Sequence, residues 1–250
     1  MFRLLEAAMG TQNWWPAESA FEVVVGAYLT QNTAWTNVAQ AMANLRAADA
    51  LSISGIRTIE LKELEGLVRP AGYFRQKASR LKLFVAHLDG NYAGSLDAMF
   101  QRPVELLRQE LLGLTGIGPE TADSILLYAA NREVFVVDTY TRRIFERHGL
   151  TGSDTGYEEI RLGVQAALAE EDSHSHGAAE CELLQPAPAQ ASASLKVLPH
   201  EPSAASKTER SDLAQRYNEF HALIVQTAKH FCVKGTPKCD GCPLREMLDK

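Results

Sequence analysis

No cysteine precedes Cys181 in this chain of 250 residues, and the other three, Cys232, Cys239 and Cys242, crowd toward the C-terminus. That distribution argues against a framework of disulfides. In a reducing compartment it points to metal or cluster ligation. Long apolar runs are missing too. None approaches the ~18 residues of a membrane span. Met1 to Gly10 carries one arginine and no cleavage-site pattern, so no signal peptide is expected and a cytoplasmic location follows. Alternation with a period of two is absent over any length, which removes the sheet classes and leaves an all-α chain. Nor is the chain basic. A net charge of −6 argues against unspecific coating of DNA. It leaves a local basic groove open, because binding depends on the face and not on the total.

What is present is organised around one stretch, Leu111 to His148. A helix from Val104 to Leu112 ends in the turn Leu114-Thr115-Gly116-Ile117-Gly118. Pro119 starts a second helix running to about Ala130, at a position where its missing N–H costs nothing. Gly116 and Gly118 permit backbone geometries that a side chain would forbid and let another backbone approach. N–H groups left over at a helix start can hold one phosphate group. After the apolar run Val134 to Val137 comes Asp138, which caps a third helix, Thr139 to His148, stopped by Gly149. A phosphate grip with a lone carboxylate suits chemistry on a nucleic acid. The plain alternatives are an ordinary interhelical turn and an ordinary N-cap.

Elsewhere, Phe21 to Leu29 is apolar and leads into polar Gln31-Asn32, a loop facing a partner or a simple cap region. Trp14-Trp15-Pro16 reads as packing. Lys77, Arg80 and Lys82 share a helix from Gln76 to Leu88, either as phosphate contacts or as a solvated face. Tyr157 to Leu168 and Leu213 to His230 read as helices. Residues 169–210, rich in Ala, Ser, Pro and acids, read as a flexible insertion.

Leu114-Thr115-Gly116-Ile117-Gly118-x-x-Thr121-Ala122 followed by Val136-Val137-Asp138-Thr139 resembles the helix-hairpin-helix and Gly/Pro-rich loop of the endonuclease III (HhH-GPD) superfamily of base-excision DNA glycosylases. The resemblance covers most of the chain outside the insertion. It implies a six-helix barrel, residues 22–132, plus a second helical domain from residues 1–21 and 133–250. It implies double-stranded DNA containing a damaged base as partner, no membrane, and a monomer. Asp138 matches the catalytic Asp. Thr115, Gly116, Ile117 and Gly118 match the DNA-binding hairpin. Gln31 falls in the segment whose Gln fills the gap left by a flipped-out base, and Lys77 in an element that contacts phosphate.

Bifunctional members place a Schiff-base lysine where this chain has Glu120. A carboxylate cannot form that adduct, so the sequence looks closer to monofunctional members, the 3-methyladenine glycosylase branch in particular. Glu120 then lines the base pocket or merely complements the helix dipole. Cys232-x6-Cys239-x2-Cys242 matches three ligands of the family's [4Fe-4S] loop. Leu248 stands at the fourth position, which Cys181 would have to supply if a cluster is held. Two other readings stay open: a glycosylase with AP lyase activity through another amine, and a non-catalytic binder of lesions or DNA structure.

Overall fold

The computed structural model describes residues 1–175, with side chains to 170, and 200–248. Cys181 and residues 176–199 of the expected insertion lie outside the described residues. Among the described residues the chain is helical and has no strand. The α-helices in chain order are α1 Phe2–Met9, α2 Ala20–Thr30, α3 Trp35–Ala47, α4 Ile53–Thr58, α5 Leu61–Leu67 and α6 Phe74–Tyr92. They continue with α7 Leu96–Phe100, α8 Val104–Gly113, α9 Pro119–Ser124, α10 Thr139–Arg147, α11 Tyr157–Ser175 and α12 Asp212–His230. The second hairpin helix is not α-helical to Ala130. Beyond α9 it continues as a π-helical turn, Ile125–Ala129, with the Ala130 N–H donating to the Ile125 carbonyl at 3.0 Å. The chain forms two compact units, one from Trp15–Arg132 and Pro202–Glu209, the other from Met1–Trp14, Glu133–Glu201 and Arg210–Lys250.

In the first unit α2 is the axis. Ser19 starts it, its hydroxyl accepting from the Glu22 N–H at 3.2 Å. A Val-Val-Val run is a poor helix former. Here Phe21, Val23, Val24, Val25, Tyr28 and Leu29 are all buried, so packing around the whole circumference overrides propensity. Helices α3 and α6 and the π-helical turn pack on it. Trp15 is buried with its ring edge-on to Trp35 at 5.3 Å. Gly26 lets that indole come within 3.2 Å of where a Cβ would stand. The hairpin helices α8 and α9 are joined by Arg108 and the fully buried Asp123, with bonds of 2.6 and 3.0 Å. Residues 202–209, expected to be part of a flexible insertion, instead strap this unit. The Ala205 N–H reaches the Ala17 carbonyl at 2.9 Å, and the Ser203 hydroxyl reaches the Trp15 carbonyl at 3.0 Å.

In the other unit α1 and α10 pack on α12. Phe220 of α12 meets Phe2 at 5.6 Å, Phe135 at 5.6 Å and Phe145 at 6.4 Å. The apolar run Val134 to Val137 is buried without a strand partner. Side chains take its N–H groups instead: Phe135 donates to Gln165 Oε1 at 3.2 Å and Val137 to the Tyr157 hydroxyl at 3.4 Å. That explains how extended, buried backbone persists outside a sheet. Helix α11 runs past Leu168 to Ser175.

Candidate functional site

The hairpin turn between α8 and α9 separates its residues sharply. Gly116 has φ +82°, so its conformation favours glycine, and a Cβ there would lie 2.2 Å from Arg80 Nε and push that side chain aside. Gly118 is different. Its φ of −99° suits any residue, and a Cβ would meet nothing within 4 Å. Contrary to the expectation from sequence, the special backbone geometry is needed at Gly116 and not at Gly118. Thr115 and Glu120 are exposed. Ile117 is an anchor: its side chain is buried and its N–H donates to the Leu114 carbonyl at 3.1 Å, so that N–H is engaged within the turn.

Gln31 follows α2 and reaches this turn. Its Nε2 donates to the Gly116 carbonyl at 2.8 Å and to Thr121 Oγ1 at 3.0 Å, while its Oε1 accepts from Arg80 Nη1 at 3.1 Å. Lys77, expected at a phosphate, is turned inward and only 2% exposed. Its ammonium donates to the carbonyls of Leu29 (2.9 Å), Gln31 (2.9 Å) and Ala71 (2.7 Å). Burial, with some help from the Arg80 charge, brings its pKa down to about 8. Lys82 does the same at the end of α4, donating to the carbonyls of Arg57 and Ile59. The physical reason is common to both. Helix C-termini leave carbonyls unpaired and carry negative dipole ends, and a lysine satisfies both.

Asp138 caps α10. Its Oδ1 accepts from the Thr141 N–H at 2.7 Å and the Thr141 hydroxyl at 3.0 Å. Its Oδ2 faces His221 Nε2 of α12 at 3.5 Å, and both side chains are nearly buried. Burial is the largest single influence on this carboxyl and pushes its pKa up. The His221 charge and hydrogen bond, with the two Thr141 bonds, outweigh it and hold the group below the usual carboxylate value. The Lys229 ammonium lies 5.8 Å from the Trp14 ring centroid. Burial lowers its pKa, and the charge of Asp138 works the other way.

His221 and Arg80 were not singled out from sequence as site residues. The one available signal for His221 was a histidine inside the apolar face of α12. Arg80 stood in a row of three cations, and nothing local marked it off from Lys77 and Lys82.

The cysteines share one loop. Cys232 is buried, while Cys239 and Cys242 are half-buried. Burial raises the Cys242 thiol, and neighbouring Cys232 and Cys239 add to that. Among the described residues no group of three or more His, Cys, Asp or Glu side chains converges as a metal-ligand set. Leu248, at the fourth position, is 42% exposed. The described thiols thus fall short of the donor set that their spacing suggests. What ties the loop down is arginine. Arg147 Nη1 reaches Cys232 Sγ at 3.3 Å and the Val233 carbonyl at 2.9 Å, and its Nη2 reaches the Gly235 carbonyl at 2.9 Å. Arg143 Nε reaches the Cys232 carbonyl at 2.6 Å.

Comparison with known proteins places these features in a family. Residues 25–169 match the HhH-GPD superfamily base excision DNA repair protein family. Over 248 residues, 99% of this chain and 93% of the relative, it is 39% identical to a protein of Methanocaldococcus jannaschii named as a candidate DNA repair glycosylase. Among solved structures it is similar to the H. pylori 3-methyladenine DNA glycosylase bound to 1,N6-ethenoadenine. The TM-score is 0.70 at 27% identity, covering 94% of this chain and 99% of that one. An endonuclease III–DNA covalent intermediate shares the fold, with TM-score 0.63, 19% identity, and coverage of 92% of this chain and 84% of that one. No helix among the described residues is long and apolar enough to cross a membrane.

Proposed function

The chain belongs to the HhH-GPD superfamily of base excision DNA repair proteins and is a DNA glycosylase; from that premise we propose that it is monofunctional and releases an alkylated purine of the 3-methyladenine class. Its substrate is double-stranded DNA, which it engages as a monomer through the hairpin of α8 and α9. The observation that carries the reading is Asp138, a nearly buried carboxylate held ionised, with one oxygen fixed by Thr141 and the other directed at His221.

The bond to be broken joins C1′ of the sugar to a ring nitrogen of the base. As it breaks, its electron pair leaves with the base, and positive charge develops on the sugar. An ionised carboxylate at ~4 Å and an effective dielectric of ~20 stabilises that charge by about 4 kcal/mol, roughly a thousandfold in rate. Water then attacks C1′, and its proton is taken up by Asp138 or passed on to solvent. An N-alkylated purine leaves as a neutral base from a cationic precursor and so needs no strong general acid. Glu120 is exposed in the first turn of α9, where a bifunctional relative would carry its amine. No Schiff base forms there, and the product is an intact abasic strand.

A [4Fe-4S] cluster is a separate proposal. Cys232, Cys239 and Cys242 would hold it only with a fourth ligand such as Cys181, and no step of hydrolysis runs through it. About four irons per chain in protein purified without oxygen supports it. Iron-free protein with full activity removes it.

The function is tested with duplexes carrying 3-methyladenine, uracil, thymine glycol or a mismatch. Release of 3-methyladenine, with strand scission only after alkali, is the expected result. Release of thymine glycol with spontaneous scission, or a borohydride-trapped adduct at stoichiometric yield, would replace this reading with a lyase mechanism. Tight binding with no excision of any lesion would leave a binding protein.

A further inference from the structure

Gln31 engages its side chain with the chain's own atoms. Both kinds of amide group are used: Nε2 on the Gly116 carbonyl and Thr121 Oγ1, and Oε1 on Arg80. Its main-chain carbonyl is held as well, by the Lys77 ammonium. A side chain that would fill the gap in a duplex is thus tied to the hairpin that would hold the duplex backbone. A second contact lies in the same place. The Arg80 side chain lies so close over Gly116 that a Cβ there would come 2.2 Å from Nε and 2.4 Å from Cζ.

We propose that Arg80 is a positioning residue that stows Gln31 against the hairpin, and that occupation of the hairpin by a phosphate releases it. The proposal rests on the reading of the chain as a base-flipping glycosylase. Its physical core is a competition for one guanidinium. The Gln31 amide oxygen is a neutral acceptor, whereas a phosphate is an anion that can pair with the guanidinium through two parallel bonds. A phosphate at the Gly116 turn draws the guanidinium away from Oε1. Gln31 is then left with two neutral bonds and can exchange them for contacts in the gap left by the departing base. Lys77 ties the carbonyls of Leu29 and Gln31 to that of Ala71 throughout. The change is therefore a rotamer swing on a fixed hinge, not a movement of the loop. In free protein the wedge is withheld, and on undamaged DNA it is offered only where the hairpin has seated.

The test has two arms. The first needs no catalysis. In free protein the Gln31 side-chain amide, identified by the NMR signal lost in Gln31→Ala, should exchange slowly with solvent. Adding a duplex with a tetrahydrofuran abasic analogue should abolish cross-relaxation between that amide and the Thr121 side chain. The second arm follows base extrusion by stopped-flow fluorescence of 2-aminopurine beside the lesion. Thr121→Val removes one neutral bond and no charge, so extrusion should quicken by about fivefold, the worth of one such bond. Arg80→Ala should also quicken extrusion while raising KM, and Arg80→Lys should restore KM. Both accelerations should vanish in a Gln31→Ala background. Melting temperatures identify any variant that fails to fold, and Thr121→Val carries the test if Arg80→Ala does so. A rapidly exchanging amide in free protein, cross-relaxation to Thr121 retained on the duplex, slower extrusion, or accelerations that persist without Gln31 would each overturn the latch. The two readings fail separately. Normal excision with an unprotected amide removes the latch alone, whereas a protected amide released by DNA, with no base excised, removes the glycosylase substrate alone.

Discussion

Asp123 and Asp138 are both carboxylates taken out of water by helices, and their surroundings pair them differently. Asp123, in the hairpin unit, is fully buried and receives both arms of the Arg108 fork, at 2.6 and 3.0 Å. Asp138, in the other unit, has one oxygen fixed by Thr141, while its second stands 3.5 Å from His221, beyond a strong hydrogen bond. Burial of a charge does not mark a functional site by itself. What separates the two is how fully the charge is paired: Asp123 is a fastener, and on the proposed mechanism the loosely paired oxygen of Asp138 is the one that reacts.

The comparison breaks most visibly at Asp138. Asp138→Asn keeps the shape and removes the charge, so single-turnover excision should fall about a thousandfold. Affinity for an abasic-analogue duplex should be unchanged. Near-normal excision would leave the two carboxylates alike. Next in size is Asp123→Ala, which takes a buried carboxylate away from Arg108. Because Arg108 keeps 17% of its side chain in solvent, the expected loss of stability is at the low end for a broken buried pair, roughly 3 kcal/mol by denaturant titration. The excision rate per folded molecule should hold. If that rate collapses while stability is kept, the assignment of roles is reversed.

A sharper version concerns pH. On the proposed mechanism excision needs the ionised carboxylate, which is present above its pKa and lost as pH falls through it. With that pKa held below the usual value, the acid limb of the wild-type rate lies below the ordinary carboxylate range. His221→Phe removes a charge and a bond that oppose burial, so the limb should move to higher pH in a single-turnover profile. An unmoved limb would make His221 a bystander. The same sign governs stability: the depressed pKa contributes stability at neutral pH that disappears on acidification. The smallest effect is expected at the hairpin. Gly118→Ala meets nothing in the protein, so stability should change little while affinity for all duplexes falls alike by fluorescence anisotropy. Gly116→Ala should cost stability as well, about 1 kcal/mol or more, because φ is +82° there.

What the sequence made legible was local. Gly116, Pro119 and the cap at Asp138 act on their immediate neighbours, so turn, helix start and carboxylate could be read in order. What it concealed depends on distant atoms. The destination of Lys77 is set by the carbonyls of Leu29 and Ala71, which no pattern in α6 announces. A row of three cations therefore looked like one surface, although two of them cap helix ends. His221 meets Asp138 only because α12 returns across α10. The strap at 202–209 has the composition of a loose linker and is held by backbone bonds to Ala17 and Trp15 that composition cannot express.

The discontinuity of the Asp138 unit has a consequence for how the chain is made. Proteins leave the ribosome from the N-terminus, and domains fold as they emerge. Phe2 of α1 packs on Phe220 of α12, so a helix made early waits for one made much later before it finds its place. Most of the hairpin unit, Trp15–Arg132, is complete long before that. A nascent or truncated chain can therefore hold a folded hairpin while Asp138 still lacks His221. On the proposed mechanism, excision by such a chain waits until α12 has docked, whereas hairpin contacts do not.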